Sequence, residues 1–257
     1  MQLGLVTYQW GADWDLPTLI KNCEKTGFRG VELRTTHKHG VEPALDEAAR
    51  REVAKRFADS HVELVGLGTT CEYHSPEAAV LRKNIEETKA FIKLCHDVGG
   101  SGVKVRPNGL PAGVPTAKTL EQIGRSLDEV AAFGEGYGVE IRLEIHGRGT
   151  SEIPNIRKIM DVSKNPGSKL CWNCNNEDTA GPGLAANFNS VKERLGTVHI
   201  HDLISSYPWV ELFDLLKKAK FQGWTLLEEG AKTDDPIRVM QYYRLLWERM
   251  AGEKDEG

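Results

Sequence analysis

Residues 139–146 read Val-Glu-Ile-Arg-Leu-Glu-Ile-His, a short run rich in Val, Ile and Leu that Gly147 and then a helical pattern follow. Such a run is typical of a buried strand in a parallel sheet. Three later segments share its form: Cys171-Trp172-Asn173, Val198-His199-Ile200-His201-Asp202 and Leu226-Leu227-Glu228-Glu229. Polar residues at the ends of buried strands line a mouth, because burial further down would cost several kcal/mol. The four segments therefore indicate one shared site.

The same alternation of strand and helix patterns runs along the whole chain. The predicted strands are 3–8, 30–34, 62–67, 102–106, 139–146, 169–173, 197–202 and 224–228. The predicted helices are 16–25, 46–60, 76–98, 117–137, 151–163, 184–195, 209–220 and 236–250. Parallel neighbours need helical crossovers, and eight such units suit a closed barrel better than an open sheet. We predict a single α/β domain, a (β/α)8 TIM barrel over residues 1–252, with a disordered tail at 253–257.

Composition narrows the range of partners. The chain has 257 residues, 40% of them hydrophobic, and a net charge of -4, which gives no electrostatic reason to bind nucleic acid or an anionic membrane. No run is long enough to span a bilayer and no signal peptide is visible, so we expect a cytoplasmic protein. The five cysteines are scattered, and the one C-x-x-C pair, Cys171 and Cys174, falls at a strand end, where small core residues are expected.

The segments that carry these polar residues resemble those of the xylose isomerase-like barrel superfamily, the sugar isomerase/epimerase group, over all eight units. Residues 143–147 look like its fifth-strand segment, whose Glu binds metal and whose His contacts substrate. Residues 199–202 resemble its H-x-K-D segment, with His201 in place of Lys, and residues 221–228 are similar to its aromatic-x-G-x-x-x-x-E ending. Glu32 matches a common second-strand pattern of the group.

One segment departs from the family. The sixth-strand segment of the family reads D-x-x-H or D-x-x-N, whereas this chain has Asn173-Cys174-Asn175-Asn176. The resemblance implies a divalent metal ion (Mn, Mg, Co or Zn) held by Glu144, Asn173, His199 and Glu228. An Asn amide oxygen binds a hard cation without contributing charge, so we expect weaker metal affinity than in the family.

The resemblance also implies a chemistry. A metal that bridges a ketone oxygen and a neighbouring hydroxyl acidifies the C–H between them and stabilises the resulting enediolate. Glu144 and Glu228 would remove a proton on one face and return it on the other. Candidate substrate contacts come from several strand ends: His146, His201, Arg106, Lys104, Arg34 and Trp10. Lys104 and Arg106 are equally expected as structural ion pairs, and Trp10 as a packing residue.

Several functions remain open from the sequence. We favour a metal-dependent isomerase or epimerase that abstracts an α-proton from a keto-sugar. The alternative is a lyase that acts on a 3-keto-glycoside and expels the group β to the carbonyl. An apurinic endonuclease is disfavoured, because a multi-zinc site needs more His and carboxylate ligands on the first strands. A non-catalytic sugar-binding barrel is a further alternative, which applies if Asn173 abolishes metal binding. Loops 203–208 and 230–234 lack a Gly-rich phosphate cradle, so we expect an unphosphorylated small-molecule sugar. Family habit suggests a homo-oligomer.

Overall fold

Eight parallel strands close into a barrel in the computed structural model, which describes residues 1–252. The strands are β1 (Gln2–Val6), β2 (Gly30–Arg34), β3 (Glu63–Glu72), β4 (Gly102–Arg106), β5 (Glu140–Glu144), β6 (Ser168–Trp172), β7 (Leu195–Ile200) and β8 (Trp224–Leu227). Each strand pairs with the next, and β8 pairs with β1. This closure confirms the predicted (β/α)8 TIM barrel. The predicted tail, 253–257, lies outside the described residues.

Within residues 1–252, eight α-helices surround the barrel, and each follows a strand. They are α1 (Leu16–Thr26), α2 (Glu47–Ala58), α3 (Ala78–Asp97), α4 (Thr116–Glu135), α5 (Ile153–Val162), α6 (Leu184–Val191), α7 (Trp209–Lys218) and α8 (Pro236–Ala251). The helix α8 begins where the Asp235 side chain accepts a hydrogen bond from the Arg238 amide, with Pro236 in its first turn. Within residues 1–252 we find no helix with the length and apolar character needed to cross a membrane.

The N-terminal end of the barrel interior is filled by Arg142. Its guanidinium donates to the Val65 carbonyl at 2.8 Å and to the Ser101 hydroxyl at 3.0 Å. Glycine makes room for this side chain, because a Cβ atom on Gly102 would lie 2.4 Å from the Arg142 Cζ atom. Because Arg142 fills this end of the interior, a site for a small molecule has to lie at the C-terminal end of the strands.

Strand ends differ from the prediction in ways that affect the site. The strand β3 continues to Glu72 instead of ending at residue 67, through Gly68 and two β-branched threonines that resemble a loop in sequence. Its pairing with β4 shifts register between Gly68 and Glu72. The strands β5 and β7 end earlier than predicted, at Glu144 and Ile200, so His146 and His201 lie in the loops that follow.

Candidate active site

Three ligand-type side chains from three strands converge at the C-terminal end of the barrel. Glu144 ends β5, His199 lies in β7, and Glu228 directly follows β8, where its amide donates to the Ile200 carbonyl at 2.9 Å. The ligand atoms of all three lie within 4.8 Å of one another. Nδ1 of His199 is 3.3 Å from Oε2 of Glu228 and 3.8 Å from Oε1 of Glu144. The sequence predicted these three residues as a group, and the structure brings them together.

The His199 ring is completely buried between carboxylates. Its other nitrogen, Nε2, lies 3.3 Å from Oε1 of Glu32 on β2, which is buried as well. Neither ring nitrogen has a hydrogen bond of good geometry to any group in residues 1–252. Burial alone lowers the pKa of His199, but Cys171, Glu32 and Glu228 more than reverse this, and the pKa stands well above its ordinary value. The neighbouring carboxylates therefore stabilise a positive charge at this position, either a proton on His199 or a bound cation.

Asn173 presents a buried oxygen that has no partner. It directly follows β6, only 5% of the residue is exposed, and no group among residues 1–252 donates a hydrogen bond to its Oδ1. The next residue, Cys174, has a φ of 51°, a left-handed conformation that is uncommon for a side chain of this type. Asn175 then anchors the turn by donating its side-chain amide to the Ile145 carbonyl. A buried carbonyl oxygen without a donor is costly, and a cation would satisfy it.

These observations fit a divalent cation. Two carboxylates, one imidazole and an amide oxygen form a mixed oxygen and nitrogen donor set, which suits several divalent ions. The orphaned atoms, Oδ1 of Asn173 and Nδ1 of His199, are both buried ligand-type atoms. Glu144, His199 and Glu228 would hold the ion, with Asn173 as a neutral further ligand.

Lys104 on β4 forms an ion pair with one member of the Glu144–His199–Glu228 cluster. Its Nζ donates to Oε2 of Glu144 at 2.6 Å, and both side chains are buried. Burial by itself lowers the pKa of Lys104, but Glu144, Glu32 and Glu228 outweigh it and raise the pKa above its ordinary value. The lysine is therefore charged and offsets part of the negative charge of the cluster. The ion pair considered from the sequence exists, and it lies at the site.

His146 and Arg106 belong to a second polar network beside the cluster. Nδ1 of His146 contacts Oδ1 of Asn108 at 2.8 Å, and the Asn108 amide donates to Glu72. Arg106 donates to the same Glu72 oxygen at 2.7 Å. Glu72 was not predicted as a site residue, because the sequence pattern places the end of β3 five residues earlier, and no sequence pattern indicated a role for Asn108.

Both ring nitrogens of His201 are engaged by backbone carbonyls. Nδ1 lies 3.0 Å from the Glu228 oxygen, and Nε2 lies 2.8 Å from the Asn173 oxygen. The backbone oxygen of His201 accepts a hydrogen bond from the Tyr243 hydroxyl at 2.6 Å. The imidazole therefore joins the two segments that carry Asn173 and Glu228.

Arg34 and Trp10 lie on the side of the mouth formed by β1 and β2. The Arg34 guanidinium is stacked over the ring of Tyr8, 4.5 Å from its centre. Trp10 is buried and donates its indole N–H to the Ala231 carbonyl at 2.7 Å, while lining a cavity of about 320 Å³. Trp10 therefore packs against the barrel and lines a cavity, and its contact with a sugar ring stays a prediction.

Comparisons with known proteins agree with this fold. A family model described as xylose isomerase-like TIM barrel matches residues 20–244. An inosose isomerase from Bacillus velezensis is 23% identical over 143 residues, or 56% of this chain and 50% of that one, so the match spans about half the length of this relative.

Two solved structures share the fold. The apo form of the 3-keto-D-glucoside 4-epimerase from E. coli has a TM-score of 0.81 and 14% identity, covering 97% of this chain and 99% of that one. The IOLI protein with a bound zinc atom has a TM-score of 0.82 and 15% identity, with both chains covered completely.

Proposed function

Because the chain belongs to the xylose isomerase-like TIM barrel family, we propose that it is a divalent-metal-dependent isomerase or epimerase that acts on a keto-sugar. The observation that carries the proposal is the convergence of Glu144, His199 and Glu228, with their ligand atoms within 4.8 Å, at the C-terminal end of the barrel. Active sites of this fold lie at that end. The names of the inosose isomerase and the 3-keto-D-glucoside 4-epimerase support a keto-sugar as substrate.

The residues that would hold the ion are Glu144, His199 and Glu228, with Asn173 as the neutral ligand. When bound, the ion would supply Lewis acidity that favours loss of a proton beside the substrate carbonyl. The zinc atom in the IOLI protein supports a divalent ion. Glu32 would orient His199 by its contact with Nε2, in the manner of a carboxylate behind a metal-binding imidazole.

Glu228 is suited to remove the proton from the substrate. Burial alone raises the pKa of its carboxyl, but the contact with His199 and the charge of Lys104 outweigh burial and lower the pKa below its ordinary value. The carboxylate is therefore ionised at neutral pH. Its side chain is 14% exposed, compared with 4% for Glu144, so it is the more accessible of the two from the mouth.

Glu144 would act on the opposite face of the substrate. Lys104 binds one of its oxygens at 2.6 Å and leaves the other toward His199, so the carboxylate has a fixed orientation. In an epimerase, one carboxylate takes the proton and the other returns one to the opposite face. His146, Arg106 and Arg34 would bind the hydroxyls of an unphosphorylated sugar from neighbouring strand ends.

Purified protein tests this proposal through its metal and its products. We expect chelation to abolish turnover and added Mn²⁺ to restore it, with an epimer or isomer formed from at least one member of a panel of ketoses and 3-keto-glycosides. Proton NMR of the reaction mixture identifies the product. If elimination products form instead, the enzyme is a lyase. If chelated protein retains full activity, the metal dependence is wrong.

A further inference from the structure

A cavity of about 570 Å³ opens beside the candidate active site, between the loops that follow β3, β4 and β5. Its walls include His74 and Pro76 from the first loop, Leu110 and Pro111 from the second, and Arg148 and Glu152 from the third. This volume is within the usual range of small-molecule sites. The lining includes none of Glu144, His199 and Glu228, so a group bound in this cavity is additional to the group that reacts.

Asn108 connects the cavity to the site. This residue lines the cavity, and its side chain contacts Nδ1 of His146 at 2.8 Å, two residues after Glu144. The loops that form the walls are tightly packed on each other. A Cβ atom on Gly147, whose φ is 91°, would lie 2.6 Å from the Cα atom of Asn108. The cavity is therefore held in a fixed position relative to the strand end that carries Glu144.

The cavity walls suit a neutral, hydroxylated ring. Leu110, Pro76 and Pro111 offer apolar surface for the face of a ring. Arg148, which lines the cavity, makes no side-chain hydrogen bond or ion pair to any residue from 1 to 252, whereas Nδ1 of His74 lies 3.7 Å from Oε2 of Glu72. Glu152 places a negative charge on the same walls as Arg148, so their charges balance. This combination of apolar faces, a free guanidinium and a balancing carboxylate matches a sugar ring rather than a phosphate or another anion.

We propose that this cavity is a subsite for a second sugar ring, and that the substrate is accordingly a keto-glycoside whose reacting ring lies at the Glu144–His199–Glu228 cluster. The inference rests on the proposed function for the identity of the reacting ring. Leu110 and the two prolines contact the ring face, and Arg148 donates to its hydroxyls. A free monosaccharide would leave these contacts unused.

Calorimetric titration of Mn²⁺-loaded protein tests the subsite without requiring turnover. Three probes differ only beyond the reacting ring: 3-keto-cellobiose carries a second sugar, phenyl 3-keto-β-D-glucopyranoside an aromatic ring, and methyl 3-keto-β-D-glucopyranoside no ring. We expect 3-keto-cellobiose to bind at least tenfold more tightly than the methyl glycoside. In Arg148→Ala and Leu110→Ala, this advantage should fall at least fivefold while the affinity for the methyl glycoside is retained. The control is Arg125→Ala, an exposed change on α4 that does not line the cavity and should change neither affinity.

The remaining outcomes distinguish a failure of the subsite inference from a failure of the proposed reaction. Equal affinity for all three probes, or no binding by any of them, overturns the inference. So does an advantage of 3-keto-cellobiose that persists in both variants. A phenyl glycoside that binds better than 3-keto-cellobiose overturns the assignment to a sugar ring. If 3-keto-cellobiose has the expected advantage but exchanges no proton with heavy water, the subsite stands and the proposed function fails.

Discussion

Nε2 of His199 lies 3.3 Å from Oε1 of Glu32, and both residues are fully buried in the barrel interior. The opposite ring nitrogen, Nδ1, lies 3.3 Å from Oε2 of Glu228. The Glu32 carboxylate therefore contacts one ring nitrogen of His199, while the other nitrogen points toward Glu144 and Glu228. Carboxylates in this position orient metal-binding histidines and fix the proton on the remote nitrogen.

Replacing Glu32 by Gln tests this orientation. The amide has nearly the same shape but lacks the charge that holds His199, so we expect Glu32→Gln to weaken Mn²⁺ binding by roughly 10- to 100-fold. Calorimetric titration measures the affinity. Glu63→Gln, an exposed change at the start of β3, serves as the control and should leave the affinity unchanged. A folded Glu32→Gln protein with the affinity of the original chain would show that Glu32 does not act through His199.

Asn173→Asp should have the opposite effect on metal binding. It restores a charged ligand at the buried position where Oδ1 has no donor among residues 1–252, so we expect Mn²⁺ affinity to rise at least about tenfold. Asn176→Asp is the control, because it adds the same charge nearby at an exposed position. If the affinity of Asn173→Asp equals that of the original chain, Asn173 does not face the ion.

His201 is predicted to position other residues. Its ring contacts the backbone oxygens of Asn173 and Glu228, so removal of the ring in His201→Leu should displace both ligands. A displacement of about 1 Å in a catalytic group costs on the order of 100-fold in rate. We therefore expect kcat to fall while KM stays within about threefold, and His201→Lys to recover part of the loss by donating to the same carbonyls. A rise in KM at unchanged kcat would instead make His201 a direct substrate contact.

Asp178 makes stability depend on pH. Burial raises the pKa of this carboxyl from 3.8 to about 7, against a hydrogen bond from the Tyr207 hydroxyl at 2.8 Å that lowers it. Above about pH 4 the folded state retains a proton that the unfolded state has lost. The free energy of unfolding therefore falls as the pH rises toward 7.

We therefore expect Asp178→Asn to raise Tm relative to the original chain by at least about 2 °C at pH 8, with a smaller gain at pH 5. Thermal unfolding followed by circular dichroism measures both. Glu177→Gln, the exposed neighbour, should show no such pH-dependent difference. An equal gain at both pH values would show that Asp178 is already ionised in the folded state at pH 5.

The barrel could be predicted from sequence because its strands are buried on both sides and read as continuous apolar runs. The β2 and β4 bounds agree with the prediction at both ends, 30–34 and 102–106. Glu144, His199 and Glu228 could be grouped because parallel strands bring their C-terminal ends to one face. These features depend on local pattern and on the topology that the pattern implies.

The rest of the site depends on contacts between residues that are distant along the chain. No local pattern indicates that Glu32 meets His199 across the barrel, or that Lys104 binds Glu144 forty residues away. Glu72 was missed because Gly68 and the threonines after it resemble a loop, although they continue β3. Such side-chain partners follow from barrel closure and register, which the sequence does not specify residue by residue.

The most direct test of the central claim is proton exchange in heavy water with Mn²⁺-loaded protein and a ketose or 3-keto-glycoside that it converts. The account predicts deuterium at the carbon beside the carbonyl, in both product and recovered substrate. It also predicts that Glu144→Gln and Glu228→Gln each lower turnover at least about 100-fold, while the adjacent Glu229→Gln does not. Turnover with neither exchange nor elimination, surviving both of the first two changes, would contradict the proton-abstraction account.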